Sequence, residues 1–171
     1  MPSKRSAAFD PLTILTALHD VEYLLVGGFA AVLYGAPTVT ADLDIMPARE
    51  DGNVARLATV LVRLQASVRE PRATGRRIEV TAELLKAWAA SASVGGQLRT
   101  RTTAGPLDVL WRLHDGRSYA DLVDRSCLLT EDDLRVRVIG LDDLIEVKSA
   151  LGRAQDRAAL PYLEAIRRRG G

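Results

Sequence analysis

The sequence predicts an α/β (α+β) fold, in which a mixed β-sheet is flanked by helices and followed by a short helical part at the C-terminal end. Two observations lead to this prediction. Short apolar runs, typical of strands buried on both faces, occur at residues 23–26 and 107–111. Other segments have apolar residues at three- and four-residue steps, as amphipathic helices do. With 47% hydrophobic residues, the chain can bury a substantial core.

The first part of the chain is predicted to form two helices and two strands. Asp10 followed by Pro11 has the pattern of a cap and a first-turn proline, so a helix is predicted to run to about residue 18. The strand at residues 23–26 ends at a Gly-Gly pair, and an alanine-rich helix then extends to the Gly-Ala-Pro stop at residues 35–37. Residues 39–46 alternate in polarity, which predicts a strand with one wet face.

The rest of the chain continues to alternate between helices and strands. Helices are predicted at residues 50–66, 81–90 and 119–123, and from about residues 142 and 155. Strands are predicted at residues 98–103, 107–111 and 134–139, and a basic loop at residues 71–77. We expect a core of residues 1–140 with a helical part, residues 141–171, packed on it as one structural domain.

Composition excludes several classes of protein. Lys and Arg number 23 against 22 Asp and Glu, so a net charge of +1 gives no overall signal for nucleic-acid binding. The single cysteine, Cys127, excludes an intramolecular disulfide and a multi-cysteine zinc site. No apolar run is long enough for a signal peptide or a membrane span, so we expect a soluble cytoplasmic protein without a membrane partner.

Two carboxylates, Asp42 and Asp44, are separated by one residue in the stretch TADLDI. Side chains two apart on a strand point the same way, so this pair could bind one or two cations. Oxygen ligands of this kind suit Mg²⁺ or Mn²⁺. The alternative is that both side chains belong to the solvated face of a strand, and the pair alone does not decide between these interpretations.

Two further features bear on this choice. Asp108 is the only acid in the apolar run PLDVLW, and a carboxylate buried there needs a partner, although on an edge strand it would face water. If the strand that carries Asp108 instead lies beside the strand of Asp42 and Asp44, the three acids come together. Gly27 and Gly28 lie where a strand meets a helix, and glycine there permits close backbone approach to a phosphate.

Together these residues resemble the signature of the polymerase-β-like nucleotidyltransferase superfamily. The stretch VGGFAAVLYGAPTVTADLDI has its strand, Gly-Gly turn, helix and Asp-x-Asp strand, and Asp108 has the place of the third acid. The segment LDDLIEVKSALGRAQDRAALPYLEAI resembles the C-terminal block of the small stand-alone members found in abortive-infection and toxin–antitoxin systems. The resemblance covers about residues 20–165.

The resemblance implies a metal-dependent enzyme that transfers a nucleoside monophosphate from a nucleoside triphosphate (NTP) to an acceptor. It assigns catalysis to Asp42, Asp44, Asp108 and Lys148, and it assigns Mg²⁺ or Mn²⁺ to the three acids. It assigns nucleotide binding to Gly27, Gly28, Thr40, Lys148, Arg153 and Asp156. On the residues alone, Lys148 could also be a surface lysine in helix ion pairs, and Arg153 with Asp156 could be a purely structural pair.

One position departs from the family pattern. Many relatives have an arginine where this chain has Thr38, so a cation that could touch a phosphate is missing. Arg76, Arg77 or Arg112 could substitute for it. This departure predicts a reduced activity at most and leaves the expected fold unchanged.

The resemblance also implies partners. The acceptor would be tRNA, another RNA or a protein, and a chain acting as a toxin would have a cognate antitoxin. One alternative is a catalytically weak or inactive nucleotide-binding or antitoxin-interacting module of the same fold. A plain nucleic-acid-binding domain is disfavoured, because aromatic residues make up only 5% of the chain and leave little for base stacking.

Overall fold

The computed structural model describes residues 8–69, 78–91 and 96–170. These residues form one eight-stranded mixed sheet with helices packed against it, which confirms the predicted fold class. The helices are α1 (Pro11–Ala17), α2 (Gly27–Leu33), α3 (Asp51–Arg63), α4 (Ala82–Ser91), α5 (Tyr119–Leu122), α6 (Leu141–Leu151) and α7 (Ala154–Arg169). The strands are β1 (Tyr23–Val26), β2 (Leu43–Pro47), β3 (Ser67–Val68), β4 (Ile78–Glu79), β5 (Gln97–Thr102), β6 (Gly105–Leu110), β7 (Cys127–Glu131) and β8 (Leu134–Val138).

The strands follow the order β4-β3-β5-β6-β2-β1-β8-β7 across the sheet. β2 lies between β1, to which it is antiparallel, and β6, to which it is parallel. β5 pairs with β6 and β3 on its two sides, antiparallel to both. In the β2–β6 register Asp44 is the partner of Asp108, so the two side chains leave the same face of the sheet.

Apolar side chains hold the central strands in place. β1 is buried along its whole length, as the continuous apolar run predicted. Leu43 and Ile45 flank Asp44 on β2, and both are fully buried. Because side chains alternate along a strand, burial of these two turns Asp44 to the opposite side. No helix in the three described ranges is long and apolar enough to cross a membrane.

The strand predicted at residues 39–46 is wrong at its start, since β2 begins at Leu43. The Thr40 hydroxyl donates to the Asp42 side chain at 2.8 Å and to its backbone carbonyl at 3.3 Å. Such local side-chain bonds compete with strand pairing, so Asp42 precedes the strand and does not belong to it. The alternation had suggested that Asp42 and Asp44 share one strand face, and the structure shows that they do not.

Local signals located the helices better than the short strands. The Asp10 side chain accepts from the Thr13 amide at 3.1 Å, and the Thr81 hydroxyl accepts from the Leu84 amide at 3.2 Å, which confirms both predicted caps. The sequence does not predict β3, β4 or β7. β3 and β4 have two residues each, which is too short for a period to be visible. The basic loop predicted at residues 71–77 lies outside the described residues.

The last two helices bring the C-terminal charges to the sheet. The Tyr34 hydroxyl donates to the Ile139 carbonyl at 2.8 Å, which ties the end of α2 to the chain entering α6. Gly152, with φ of 56°, ends α6 in the left-handed conformation that glycine favours. α7 starts two residues later, so Lys148 of α6 and Asp156 of α7 lie within hydrogen-bond distance.

Gly140→Ala is expected to destabilise the protein. A Cβ at this position would overlap the backbone carbonyl of Arg125, which a backbone shift would have to relieve at the start of α6. We expect the free energy of unfolding, measured by urea denaturation, to fall by about 1–3 kcal/mol. Gly52→Ala is the control, because its Cβ would meet its nearest atom at 3.7 Å. That variant should keep or increase stability, and equal losses in both variants would contradict the steric explanation.

Candidate active site

The parallel pairing of β2 with β6 gathers the predicted acids at one cleft. Asp42, Asp44 and Asp108 all line a cavity of about 450 Å³. The same cavity is lined by four cationic side chains, Arg69, Arg99, Lys148 and Arg153. The structure thus brings the three predicted acids and two of the predicted cations together.

Gly27 allows the start of α2 to approach the acidic strand. Its φ is +70°, and a Cβ there would come within 2.9 Å of the Asp44 Cγ atom. A Cβ on Gly28 would likewise lie 2.9 Å from the Thr40 hydroxyl oxygen. The two glycines are therefore required for this close approach, whatever they bind.

Thr40 holds Asp42 at the rim of the cleft. Its hydroxyl donates to Asp42 Oδ1, and both side chains are half-buried. Thr38 and Val39 line the same rim, and Val39 is 99% exposed. This rim is thus open to solvent and to a ligand.

The electrostatics of the acids are unfavourable without a ligand. Burial, followed by the charges of Asp42 and Asp108, raises the pKa of Asp44 to about 7, and Arg153 and Gln97 offset only part of this. Burial also raises the pKa of Asp108 to about 6, against the lowering effect of Arg69. The carboxylates therefore repel one another in a poorly solvated place, where a bound cation would relieve the repulsion.

The structure identifies two further residues that contact the acids. The side-chain amide of Gln97 donates to Asp44 Oδ1 at 2.7 Å and to Asp108 Oδ2 at 3.2 Å. Arg69 forms an ion pair with Asp108 at 2.8 Å. Sequence reasoning missed both residues. The alternation of β5, which puts Gln97 on the same face as Arg99, was the one available signal.

Lys148 is buried, contrary to the surface-lysine interpretation. It is 4% exposed and donates to Asp156 Oδ1 at 3.0 Å. Arg153 donates from Nε to the other oxygen, Asp156 Oδ2, at 2.7 Å. Asp156 itself is fully buried, so it holds two cations at the wall of the cleft. The structure thus contains the predicted pairing of Arg153 with Asp156, and Lys148 is part of it.

A second, mainly apolar cavity of about 190 Å³ adjoins the cleft. Four residues line both cavities, namely Asp44, Gln97, Lys148 and Arg153. The apolar wall of the second cavity includes Leu110, Leu113, Ile139, Leu144, Val147 and Leu151, and His114 adds a polar group. The two cavities together form a polar compartment beside an apolar one.

The donor atoms suit one divalent cation better than two. Asp42 and Asp44 present oxygen ligands to the same cleft, as Mg²⁺ and Mn²⁺ prefer. Both oxygens of Asp108 already accept hydrogen bonds from Arg69. Among the described residues, no group of three acidic, histidine or cysteine side chains is arranged to hold a metal. Metal binding by Asp108 stays a prediction.

One of the three suggested substitutes for the missing arginine at Thr38 lies outside the cleft. Arg112 donates to the Gly116 carbonyl at 2.9 Å and lines neither cavity. Arg76 and Arg77 lie outside the described residues. Among the described residues, the cations that line the cleft with the acids are Arg69, Arg99, Lys148 and Arg153.

Comparison with known proteins relates the fold to solved structures. The chain is similar to the crystal structure of TM1012 from Thermotoga maritima, called a "putative nucleotidyltransferase", with a TM-score of 0.52 and 15% sequence identity. The match covers 89% of this chain and 88% of that one. JHP933 from Helicobacter pylori gives a TM-score of 0.47 at 15% identity over 95% of this chain and 67% of that one. No family model and no curated protein matches the sequence.

The chain therefore has a nucleotidyltransferase-like fold. This confirms the fold that the resemblance implied. At 15% identity the similarity extends to the fold alone.

Asp156→Asn is expected to destabilise the protein at neutral pH. Burial acts to raise the pKa of Asp156, but the hydrogen bonds and charges of Arg153 and Lys148 lower it overall. Because the substitution leaves Lys148 buried without a counter-ion, we expect a loss of about 3 kcal/mol in the free energy of unfolding at pH 7. Asp142→Asn on the exposed face of α6 is the control and should cost less than about 1 kcal/mol.

The pH dependence of this loss checks its electrostatic origin. A carboxylate whose pKa is lowered by folding stabilises the protein fully above its unfolded value, ordinarily 3.8, and this contribution disappears as the pH falls through the lowered pKa. The difference between wild type and Asp156→Asn should thus be largest near pH 7 and shrink below about pH 4. A difference that stays constant from pH 7 to pH 3 would contradict this origin.

Proposed function

We propose that the protein is a metal-dependent nucleotidyltransferase that transfers a nucleoside monophosphate from an NTP to an acceptor and releases pyrophosphate. The observation that carries the proposal is the pair Asp42 and Asp44. These acids repel each other in a cleft walled by Arg153 and Lys148, on a nucleotidyltransferase-like fold. A carboxylate pair beside cations is what a cation–triphosphate complex requires.

Asp42 and Asp44 would hold Mg²⁺ or Mn²⁺. When bound, the cation would neutralise the triphosphate and polarise the phosphoryl oxygens. Thr40 keeps Asp42 turned toward the cleft through its hydroxyl. Gly28 lines the cleft and Gly27 the adjoining cavity, so their backbone would meet phosphate oxygens beside the Asp44 and Thr40 side chains that pack against these glycines.

Lys148 and Arg153 would neutralise the phosphates from the opposite wall. Their common partner Asp156 fixes both cations before the substrate arrives, which avoids reorganisation during the reaction. The acceptor oxygen would form a bond to the α-phosphorus as the bond to pyrophosphate breaks, and the proton of the acceptor hydroxyl would pass to water in the cleft. Asp108, next to Asp44 in the sheet, would contact the acceptor hydroxyl only after Arg69 releases it.

The apolar cavity would take the nucleobase. It adjoins the cleft at Lys148 and Arg153, and its wall is formed by aliphatic side chains. The charged triphosphate would lie in the polar cleft and the flat base in the apolar cavity, so each part of the nucleotide would meet surroundings of similar polarity. His114 is the exposed polar group that could contact a base edge.

The acceptor would be tRNA, another RNA or a protein side chain. The resemblance to stand-alone members of abortive-infection and toxin–antitoxin systems supports a role as a toxin with a cognate antitoxin. The competing function is a nucleotide-binding module with weak or absent catalysis. The pairing of Asp108 with Arg69 favours that alternative, since it engages a predicted catalytic acid.

Transfer of label tests the activity. The protein is incubated with Mg²⁺ and each α-³²P-labelled NTP in the presence of total RNA or total protein. We expect one fraction to become labelled, and Asp44→Asn to reduce the rate by at least about 100-fold, because loss of even an outer-shell partner of a metal costs 10- to 100-fold. Asp124→Asn, an exposed acid outside both cavities, should leave the rate unchanged.

Two further measurements show whether Asp44→Asn is folded and whether the protein only binds the nucleotide. Asp44→Asn should melt at or above the wild-type temperature without metal, because it removes a repelling charge, and its inactivity would then not reflect misfolding. Isothermal titration with Mg²⁺ and each NTP identifies the alternative. Metal-dependent binding without labelling of RNA, protein or small molecules would indicate the binding module. Binding unchanged in Asp44→Asn would rule out the metal site.

Leu151→Trp tests the place of the base. Leu151 lines the apolar cavity and is 41% exposed, so a larger side chain should fill the cavity with little effect on folding. We expect the dissociation constant of the best NTP to rise about tenfold, equivalent to about 1.4 kcal/mol, while that of inorganic triphosphate stays the same. Leu128→Trp, at a residue 49% exposed on β7, is the control. Equal or tighter NTP binding by Leu151→Trp would contradict this placement.

A further inference from the structure

Asp108 is held by the chain itself and is withdrawn from solvent. Arg69 donates from Nη2 to both carboxylate oxygens, at 3.1 and 2.8 Å. The Thr100 amide also donates to Asp108 Oδ1, at 3.2 Å. The Asp108 side chain is only 3% exposed. A cation that used this carboxylate would have to displace a charged donor from a buried partner.

Gln97 occupies the space between the acids. Its amide nitrogen donates to Asp44 and to Asp108 at once, so it stands where a cation shared by these two acids would have to sit. Arg99 donates to the Gln97 side-chain oxygen at 3.4 Å, which orients the amide with its nitrogen toward the acids. The bridging position is thus filled by a side chain whose own partner keeps it in place.

The backbone positions Arg69 for this contact. It directly follows β3, and its amide donates to the Arg99 carbonyl of β5 at 2.8 Å. Within the described part of the chain the buried Arg69 Nε has no hydrogen-bond partner, so the contact with Asp108 is what orients the guanidinium. An arginine keeps its charge at every working pH, so Arg69 is a permanent cation beside Asp108.

We propose that Arg69 takes the place of a second divalent cation and that the site binds one divalent cation, on Asp42 and Asp44. The inference rests on the proposed nucleotidyltransferase function. Arg69 neutralises Asp108, Gln97 separates Asp108 from Asp44, and the pair Asp42 and Asp44 keeps the negative charge that needs a metal. Arg69 and Gln97 are positioning residues, because they act through the acids.

The number of bound Mn²⁺ ions tests this inference. Each non-hydrolysable α,β-methylene NTP is added in turn, and free Mn²⁺ is followed by electron paramagnetic resonance. We expect one Mn²⁺ per bound nucleotide in the wild type and two in Arg69→Met, because Asp108 is then released. Arg63→Met is the control: it removes an exposed arginine of α3 that lines neither cavity, and it should still give one.

Asp108→Asn keeps the test valid if Arg69→Met folds poorly. This variant preserves the shape of the side chain, and it should bind one Mn²⁺, as the wild type does. Two ions in the wild type that fall to one in Asp108→Asn would overturn the inference and leave the proposed function intact. Absence of nucleotide-dependent Mn²⁺ binding in the wild type would overturn both.

Discussion

The site depends on the parallel pairing of β2 with β6, which sets Asp44 directly beside Asp108. Apolar neighbours on both strands are fully buried, so the register cannot slip without moving the core. The hydrophobic effect thus holds two like charges together in a place with little water. As a result, the pKa values of the Asp44 and Asp108 carboxyl groups are raised. Other side chains around the cleft offset part of this effect.

The side chains that offset the charge of these acids come from two parts of the chain. From one side, Arg69 and Gln97 reach the acids from the strands that extend the sheet beyond β6. From the other, α6 and α7 bring Lys148 and Arg153, which Asp156 holds at the wall of both cavities. The first set neutralises Asp108 within the protein. The second is better placed for a ligand, because Arg153 is more than half exposed and also acts on the charges of Asp42 and Asp44.

Local signals allowed much of this to be predicted from the sequence. The buried strands, the capped helices and the acids were visible because each depends on neighbours along the chain. Asp108 in an apolar run indicated a buried partner, but the partner, Arg69, is 39 residues away and follows a strand of two residues. No feature of the sequence around Arg69 distinguishes it from the other arginines of the chain. The start of β2 was misplaced for a similar reason, since the bond between Thr40 and Asp42 overrides the alternation.

Direct ion pairs divide the acids around the cleft into two groups. Among the described residues, Asp156 engages Lys148 and Arg153, and Asp108 engages Arg69. Asp42 and Asp44 then have no direct contact with a side-chain cation from the described part of the chain. Without a cationic ligand the protein would gain stability if a neutral residue replaced Asp44, as the raised pKa of Asp44 indicates. The described residues around the cleft include four acids and four cations, so what distinguishes Asp42 and Asp44 is the lack of a direct ion-pair partner, and the single cation of our proposal would bind at this local negative charge.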